Sequence, residues 1–324
     1  MSKSEFDLIE KYFAPLSTTG APAFSLSNDA AIYSPEPNKN LIFTKDMLVG
    51  GKHFFEHDDP YLIAQKALRV NLSDLASMGA EPLGYLLGIA LPDKNFDPDH
   101  WLSSFAEGLK DDQDKYRLKL WGGDTVSTTG PITVSVTAIG QTGSTVNLSR
   151  SGAKTGDDIY VSGTLGDAAA GLVVLKEKMD PTKFEYLIKR YHLPEPRIRL
   201  GQALSEIATS MMDISDGLLG DISHICRHSK VGAEIETKKI PFSFALGNLL
   251  ATKADYSSLI WSGGDDYELL FTTSPDNDRV IEKLSEQLAI KLTKIGKITK
   301  SQNVILLDDE GTEIKYEKRG FSHF

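Results

Sequence analysis

Apolar residues recur along this chain at two spacings. Within "DPYLIAQKALRVNLSDLASMGAEP", Leu62, Ile63, Ala67, Val70 and Leu75 fall near the helical period. They predict a helix over 59–82 that Asp59 caps, Pro60 begins and Gly79 stops. "NLIFTKDML" (40–48) is β-rich and ends at Gly50–Gly51. Further helices are expected at 4–13 and 97–116, and strands at 82–92, 117–121 and 131–140. Near Asn147–Asp158 the texture changes, which places a domain boundary between residues 1–146 and 147–324. The second half predicts helices at 167–178, 182–191, 196–209, 217–229 and 277–288. Strands are expected at 158–162, 211–214, 232–236, 266–272, 292–298 and 303–307. This order reads as α/β, or α+β with mixed sheets.

Length changes the picture little: 324 residues favour two domains. Charge changes it more. A formal net charge of −10 disfavours nucleic acid as a partner. An anionic ligand such as a phosphate would need a divalent cation to approach. The single cysteine, Cys226, excludes an intrachain disulfide and a four-cysteine zinc site. No signal-peptide core and no run near the ~18 residues of a membrane span is present. The expectation is a soluble cytoplasmic protein.

Single aspartates stand at the edges of apolar segments: Asp29, Asp46, Asp74, Asp124, Asp213, Asp216 and Asp265. Each has an ordinary explanation. Asp74, near a helix C-terminus and unfavourably placed against its dipole, could be solvated or paired with Arg69 or Lys66. Ser215 or Asp216 could be an N-cap. Asp213, inside the apolar "MMDIS", has no such account. Asp124 and Asp265 follow glycine pairs that let backbone and ligand approach closely. As a set, these residues suit Mg²⁺, which takes one or two carboxylates per ion and completes its shell with phosphate oxygens and water. They do not suit zinc.

Several other motifs carry less. "GTLGDAAAG" (163–171) resembles a phosphate turn feeding a helix but is not G-x-G-x-x-G; a tight turn is the preferred reading. "GAKTGD" (152–157) lacks the upstream glycine of a P-loop. His224 and His228 flank Cys226 at helical spacing, which reads better as an ordinary helix surface than as a metal site. No G-x-S-x-G elbow occurs.

Taken in order, "NDAA", "TKDMLVGGKHF", "KALRVNLSDLASMGAEP", "GGDT", "SRSGAKTGD", "MMDISDGL", "SGGDDYELLF" and "GFSHF" resemble the segments of the thiamine-monophosphate kinase family. That family lies in the ATP-binding superfamily of aminoimidazole ribonucleotide synthetase, selenophosphate synthetase and HypE. The resemblance runs from about residue 24 to the C-terminus. It implies the two-domain aminoimidazole ribonucleotide synthetase-like fold, with the N-terminal sheet pairing across a homodimer. It implies direct transfer of the ATP γ-phosphate to thiamine monophosphate, assisted by several Mg²⁺ ions. By the same resemblance, Asp29, Thr44, Lys45, Asp46, Asp74, Asp124, Asp213 and Asp216 would hold metal, with Thr44 and Lys45 acting partly through backbone oxygen. Gly123, Asp124, Arg150 and Ser215 would contact ATP, and His53, Asp265 and Phe321 would line the acceptor pocket. Asp124, Asp213 and Asp216 would be the catalytic residues.

Four positions depart from the family's usual pattern. Asn28 and Gly50 stand where acids are common, Lys52 replaces an apolar residue, and Asp265 replaces a glutamate. With Lys45 beside Asp46, the lost acids point to modestly weaker Mg²⁺ affinity; saturation at micromolar Mg²⁺ would contradict this. The competing readings are another ATP-using superfamily member and a catalytically inactive nucleotide-binding homologue. A selenophosphate synthetase would need a reactive cysteine near the N-terminus, and residues 1–40 contain none.

Overall fold

The β-rich run at 40–48 forms strand β1 (Lys39–Val49), one edge of a four-stranded sheet. The computed structural model describes residues 5–146 and 148–316 and divides into two units. The first comprises residues through Leu75 with Ala80–Ser144; the second comprises Ala76–Gly79 and the chain from Thr145 onward.

The first unit begins with α1 (Glu5–Leu8), which continues as a π-helical turn at Ile9–Phe13. After β1 come α2 (Pro60–Ser77), β2 (Glu81–Pro92), α3 (Pro98–Tyr116), β3 (Lys119–Thr128) and β4 (Thr133–Gly143). The strand order is β1-β4-β2-β3. β4 runs antiparallel to both neighbours, and β3 runs parallel to β2. The helix signals act as expected. The Asp59 carboxylate accepts from the Tyr61 N–H at 3.0 Å, and Gly79 ends the segment at φ +65°. Asp97 caps α3 by accepting from Asp99 and His100.

One sheet face is covered by the core residues Ile63, Leu68, Leu72, Leu87, Phe105 and Val136. The buried Arg69 guanidinium pairs with Asp112 through Nε–Oδ2 at 2.7 Å and Nη2–Oδ1 at 2.8 Å. The opposite face leaves Phe43, Met47, Leu86 and Val126 exposed.

β3 departs from expectation. It does not stop at Trp121 but runs on through the glycine pair to Thr128. A Cβ on Gly123 would sit 2.0 Å from the Leu87 carbonyl oxygen. The glycine therefore permits close approach of β2 and β3, and Asp124 projects from a strand, not from a turn.

The second unit contains β5 (Asp158–Ser162), α4 (Asp167–Lys176), α5 (Glu185–His192), α6 (Ile198–Leu204), β6 (Ser210–Asp213), α7 (Leu218–Ser229) and β7 (Gly232–Glu236). It continues with α8 (Phe244–Thr252), α9 (Leu259–Ser262), β8 (Leu269–Thr273), α10 (Asp278–Leu288), β9 (Leu292–Thr299) and β10 (Val304–Leu307). Its six-stranded mixed sheet is ordered β10-β7-β9-β5-β8-β6, with only the β10–β7 pair parallel. Helix α8 is not anticipated by the sequence reading. Its N-cap is Ser243, whose Oγ accepts from the Leu246 N–H at 3.0 Å. β8 begins at Leu269, so residues 266–268, expected in the strand, lie in a loop before it. Among the described residues, no helix is long and apolar enough to cross a membrane.

Candidate active site

Three groups of the expected site residues form, and strand alternation explains the first division. Asp46 shares a register row with Val136, Leu87 and Gly123 on the covered face of the sheet. Asp124 pairs with Gly88 in the next row, so its side chain leaves the opposite face.

The first group is Thr44, Asp46 and Asp74. The Thr44 hydroxyl donates to the Asp74 carboxylate, and the Asp46 N–H donates to Asn71 Oδ1 at 3.0 Å. Asn71 is fully buried on α2 and fixes the edge strand at this point. Arg69 binds Asp112, and Lys66 Nζ donates to the His53 carbonyl at 3.2 Å. Lys45 lies between Thr44 and Asp46 but points to the exposed face, where its ammonium donates to Ser135. Its charge is thus turned away from Asp46. That removes its part in the expectation of weaker Mg²⁺ binding and leaves only its backbone oxygen to serve a metal.

Burial, then the Asp74 charge, pushes the Asp46 carboxyl up to about 6. An acid whose folded pKa is raised binds its proton more tightly when folded. It adds nothing against stability at low pH and destabilises increasingly as pH rises from its ordinary 3.8 through about 6. Asp46→Asn is therefore expected to stabilise the chelator-treated protein by about 1–2 kcal/mol at pH 7.5 and by almost nothing at pH 4. Thermal denaturation at the two pH values checks this. The same substitution should abolish much of any Mg²⁺-induced rise in Tm.

The second group lines a cavity of about 640 Å³ that holds Asp29, Gly123 and Asp124. Asn28, the departure from the family pattern, lines it too. Its apolar walls include Phe43, Leu86 and Trp121; Tyr33 stacks on Trp121 with ring centroids 4.9 Å apart. Two carboxylates beside aromatic and aliphatic walls suit a ligand with a flat apolar part and an anionic part bridged by cations.

The third group is Asp213, Ser215, Asp216 and Arg150. Asp213 is buried at the end of β6, opposite Leu269. Neither Ser215 nor Asp216 caps α7. Its N-cap is Gly217, and Asp221 from the first turn accepts from the Asp216 and Gly217 N–H groups at 3.2 and 3.1 Å. Asp221 is a site residue that the sequence reading missed; its signal was a carboxylate in the first turn after "DGL". Burial, then Asp213 and Asp216, raise its pKa well above the ordinary value. Arg150 is exposed, and its charge and that of Asp216 both reach His224. Burial, Arg227 and Arg150 hold His224 below its usual value, and Arg227 Nη2 lies 3.0 Å from His224 Nδ1.

His53 follows β1, where its Nδ1 accepts from the Val49 N–H at 3.0 Å. Asp265 lies in the loop before β8 at φ +68°. Phe321 is outside the described residues. Among the described residues, no three His, Cys, Asp or Glu converge on one metal position. Carboxylates repelling each other in pairs, as Asp46 and Asp74 do, still fit hard cations that take most of their ligands from phosphate and water.

Two domain models match the chain: AIR synthase related protein, N-terminal domain, over residues 27–142, and its C-terminal domain over 154–309. The thiamine-monophosphate kinase of Escherichia coli strain K12 is 38% identical over 330 aligned positions, covering 100% of this chain and 99% of that protein. The chain belongs to the thiamine-monophosphate kinase family. A solved member of that family, from Stenotrophomonas maltophilia K279a, superimposes with a TM-score of 0.81 at 39% identity, covering 87% of this chain and 89% of that one. AaThiL complexed with AMPPCP and TMP gives 0.77 at 30% identity, with 91% of each chain covered. The likeness to the kinase family thus extends across both units, as the motif order implies.

Proposed function

We propose that this chain transfers the γ-phosphate of ATP to thiamine monophosphate, giving thiamine diphosphate and ADP. The observation that carries the reading is full-length similarity to thiamine-monophosphate kinases. AaThiL, bound to an ATP analogue and to TMP, is a relative that takes both proposed ligands.

In the transfer, a phosphate oxygen of the acceptor bonds to Pγ while the bond from Pγ to the β–γ bridging oxygen breaks. The acceptor oxygen is already ionised, so no strong general base is required. The difficulty is bringing two anions together. Asp29, Asp46, Asp74, Asp124, Asp213 and Asp216 would hold Mg²⁺, with Thr44 and the Lys45 backbone oxygen assisting. When bound, Mg²⁺ neutralises the phosphates and orients them for in-line attack. Gly123, which lines the cavity beside Asp124, would meet the nucleotide through its backbone. Arg150 and Ser215 bind phosphate oxygens, and His53, Asp265 and Phe321 bind the acceptor. ADP release that requires thiamine monophosphate, one ADP per acceptor consumed, is the expected assay result. ADP formation indifferent to the acceptor would contradict the reading.

The exposed apolar face of the four-stranded sheet supports a homodimer. Phe43, Met47, Leu86 and Val126 form a face that soluble monomers rarely leave uncovered. Met47→Lys combined with Val126→Lys is expected to halve the sedimenting mass. A wild-type protein that sediments as a monomer at micromolar concentration would rule the dimer out.

A further inference from the structure

The loop "SGGDDYELL" alternates in environment. Asp265 and Tyr267 are partly exposed, whereas Asp266 and Glu268 are each 1% exposed. Both outward residues occupy left-handed backbone, at φ +68° and +53°. Such conformations persist in non-glycine residues only where the surroundings impose them.

Part of the imposition comes from the backbone. Asp265 N–H donates to Ser215 O at 2.9 Å, Tyr267 N–H to Ile214 O at 2.8 Å, and Ile214 N–H to Glu268 O at 2.8 Å. These bonds join the loop to the segment that carries Asp213 and Asp216. A Cβ on Gly264 would lie 2.5 Å from Ser215 O, so the two backbones are in close contact.

The rest comes from the two buried carboxylates. Asp266 accepts from Gly166 N–H at 2.6 Å and Ala168 N–H at 3.2 Å, at the N-terminus of α4. The backbone N–H groups of "GTLGDAAAG" thus serve the protein's own Asp266, whose carboxyl burial pushes up to about 8. Glu268 receives Arg190 Nη2 at 3.0 Å, Arg197 Nη2 and Nε at 2.5 and 2.7 Å, and the Ser162 hydroxyl at 2.5 Å. Arg190 Nη2 also donates to the Asp266 carbonyl at 3.0 Å. Gly163, at φ +59°, passes so close that a Cβ there would sit 2.2 Å from Glu268 Oε1. Burial opposes ionisation of Glu268, but Arg197 and Arg190 reverse this and hold its pKa below the usual range.

We infer that Asp266 and Glu268 are positioning residues for acceptor recognition: clamped by α4, Arg190 and Arg197, they fix the loop so that Asp265 is presented to thiamine monophosphate. The inference rests on the functional reading above, in which Asp265 binds the acceptor. It assigns a purpose to the buried half of the motif and to the turn at 163–171. Structural support alone would lower stability and all kinetic constants together. A positioning role separates them, because a displaced Asp265 weakens acceptor binding first.

The test compares wild type, Glu268→Gln and Arg197→Lys. Steady-state constants for thiamine monophosphate and for ATP are measured together with amide hydrogen exchange over residues 263–268. Glu268→Gln keeps the shape but loses the charge that two guanidiniums share. Its acceptor KM is expected to rise about tenfold, with the ATP KM within about twofold, because misplaced binding groups act on the ligand they touch. Exchange in the loop should quicken by about tenfold. Arg197→Lys keeps a charge but loses the paired geometry, so its acceptor KM should rise only about threefold. Being at the edge of the network, it carries the test should Glu268→Gln not fold. Unchanged loop exchange, or constants for both substrates falling in step, would overturn the positioning role. A wild-type protein that transfers nothing to thiamine monophosphate overturns the functional reading, and this inference with it.

Discussion

Asp213→Asn is expected to lower kcat by about a thousandfold while leaving the fold intact. Asp213 is buried at the end of β6, and its charge acts on Asp221 together with that of Asp216. Burial, then the charges of Asp213 and Asp216, raise the pKa of Asp221, a repulsion that a cation would relieve. Asparagine preserves shape and removes one negative charge, so loss of turnover without loss of the fold is the expected signature. On the proposed function, what would be lost is the hold on a cation at the transferring phosphate. Turnover at saturating ATP and Mg²⁺, with circular dichroism and a thermal melt, separates the two effects. A variant with kcat within about fivefold of wild type would remove Asp213 from the machinery.

The second large effect is expected at Gly123. Its Cβ position lies 2.0 Å from the Leu87 carbonyl oxygen, inside any permitted contact distance, and the obstacle is backbone. Gly123→Ala must therefore push β3 away from β2. The cost expected is about 1–3 kcal/mol, the usual range for overpacking. Asp124 is the next residue along the displaced strand, so kcat/KM for ATP should also fall by about a hundredfold. Urea denaturation and steady-state kinetics measure both. Full activity with reduced stability would mean that Asp124 is not held by this strand pairing.

The amphipathic helices were legible because their caps are local. Asp59, Pro60 and Gly79 bound α2, and Asp97 and Pro98 begin α3, each through groups within a few residues. The continuation of the strand through Gly122–Gly123 is not legible because the reason for Gly123 is 36 residues away, at Leu87. Glu268 is hidden for a similar reason: its partners Ser162, Arg190 and Arg197 come from elsewhere in the chain. The partners of Asp221 are local, but a carboxylate in a helix's first turn is unremarkable in sequence. Lys45 was placed beside Asp46 by adjacency, whereas a strand sends neighbours to opposite faces. The carboxylates themselves were legible because each interrupts an apolar run. Their division into separate groups required the sheet register.

The most direct test of the account is phosphorus NMR of the protein incubated with ATP, Mg²⁺ and thiamine monophosphate. A new diphosphate ester is expected to appear in step with ADP as the acceptor monophosphate signal declines. ADP with inorganic phosphate and no ester, or no consumption of ATP at all, would contradict it.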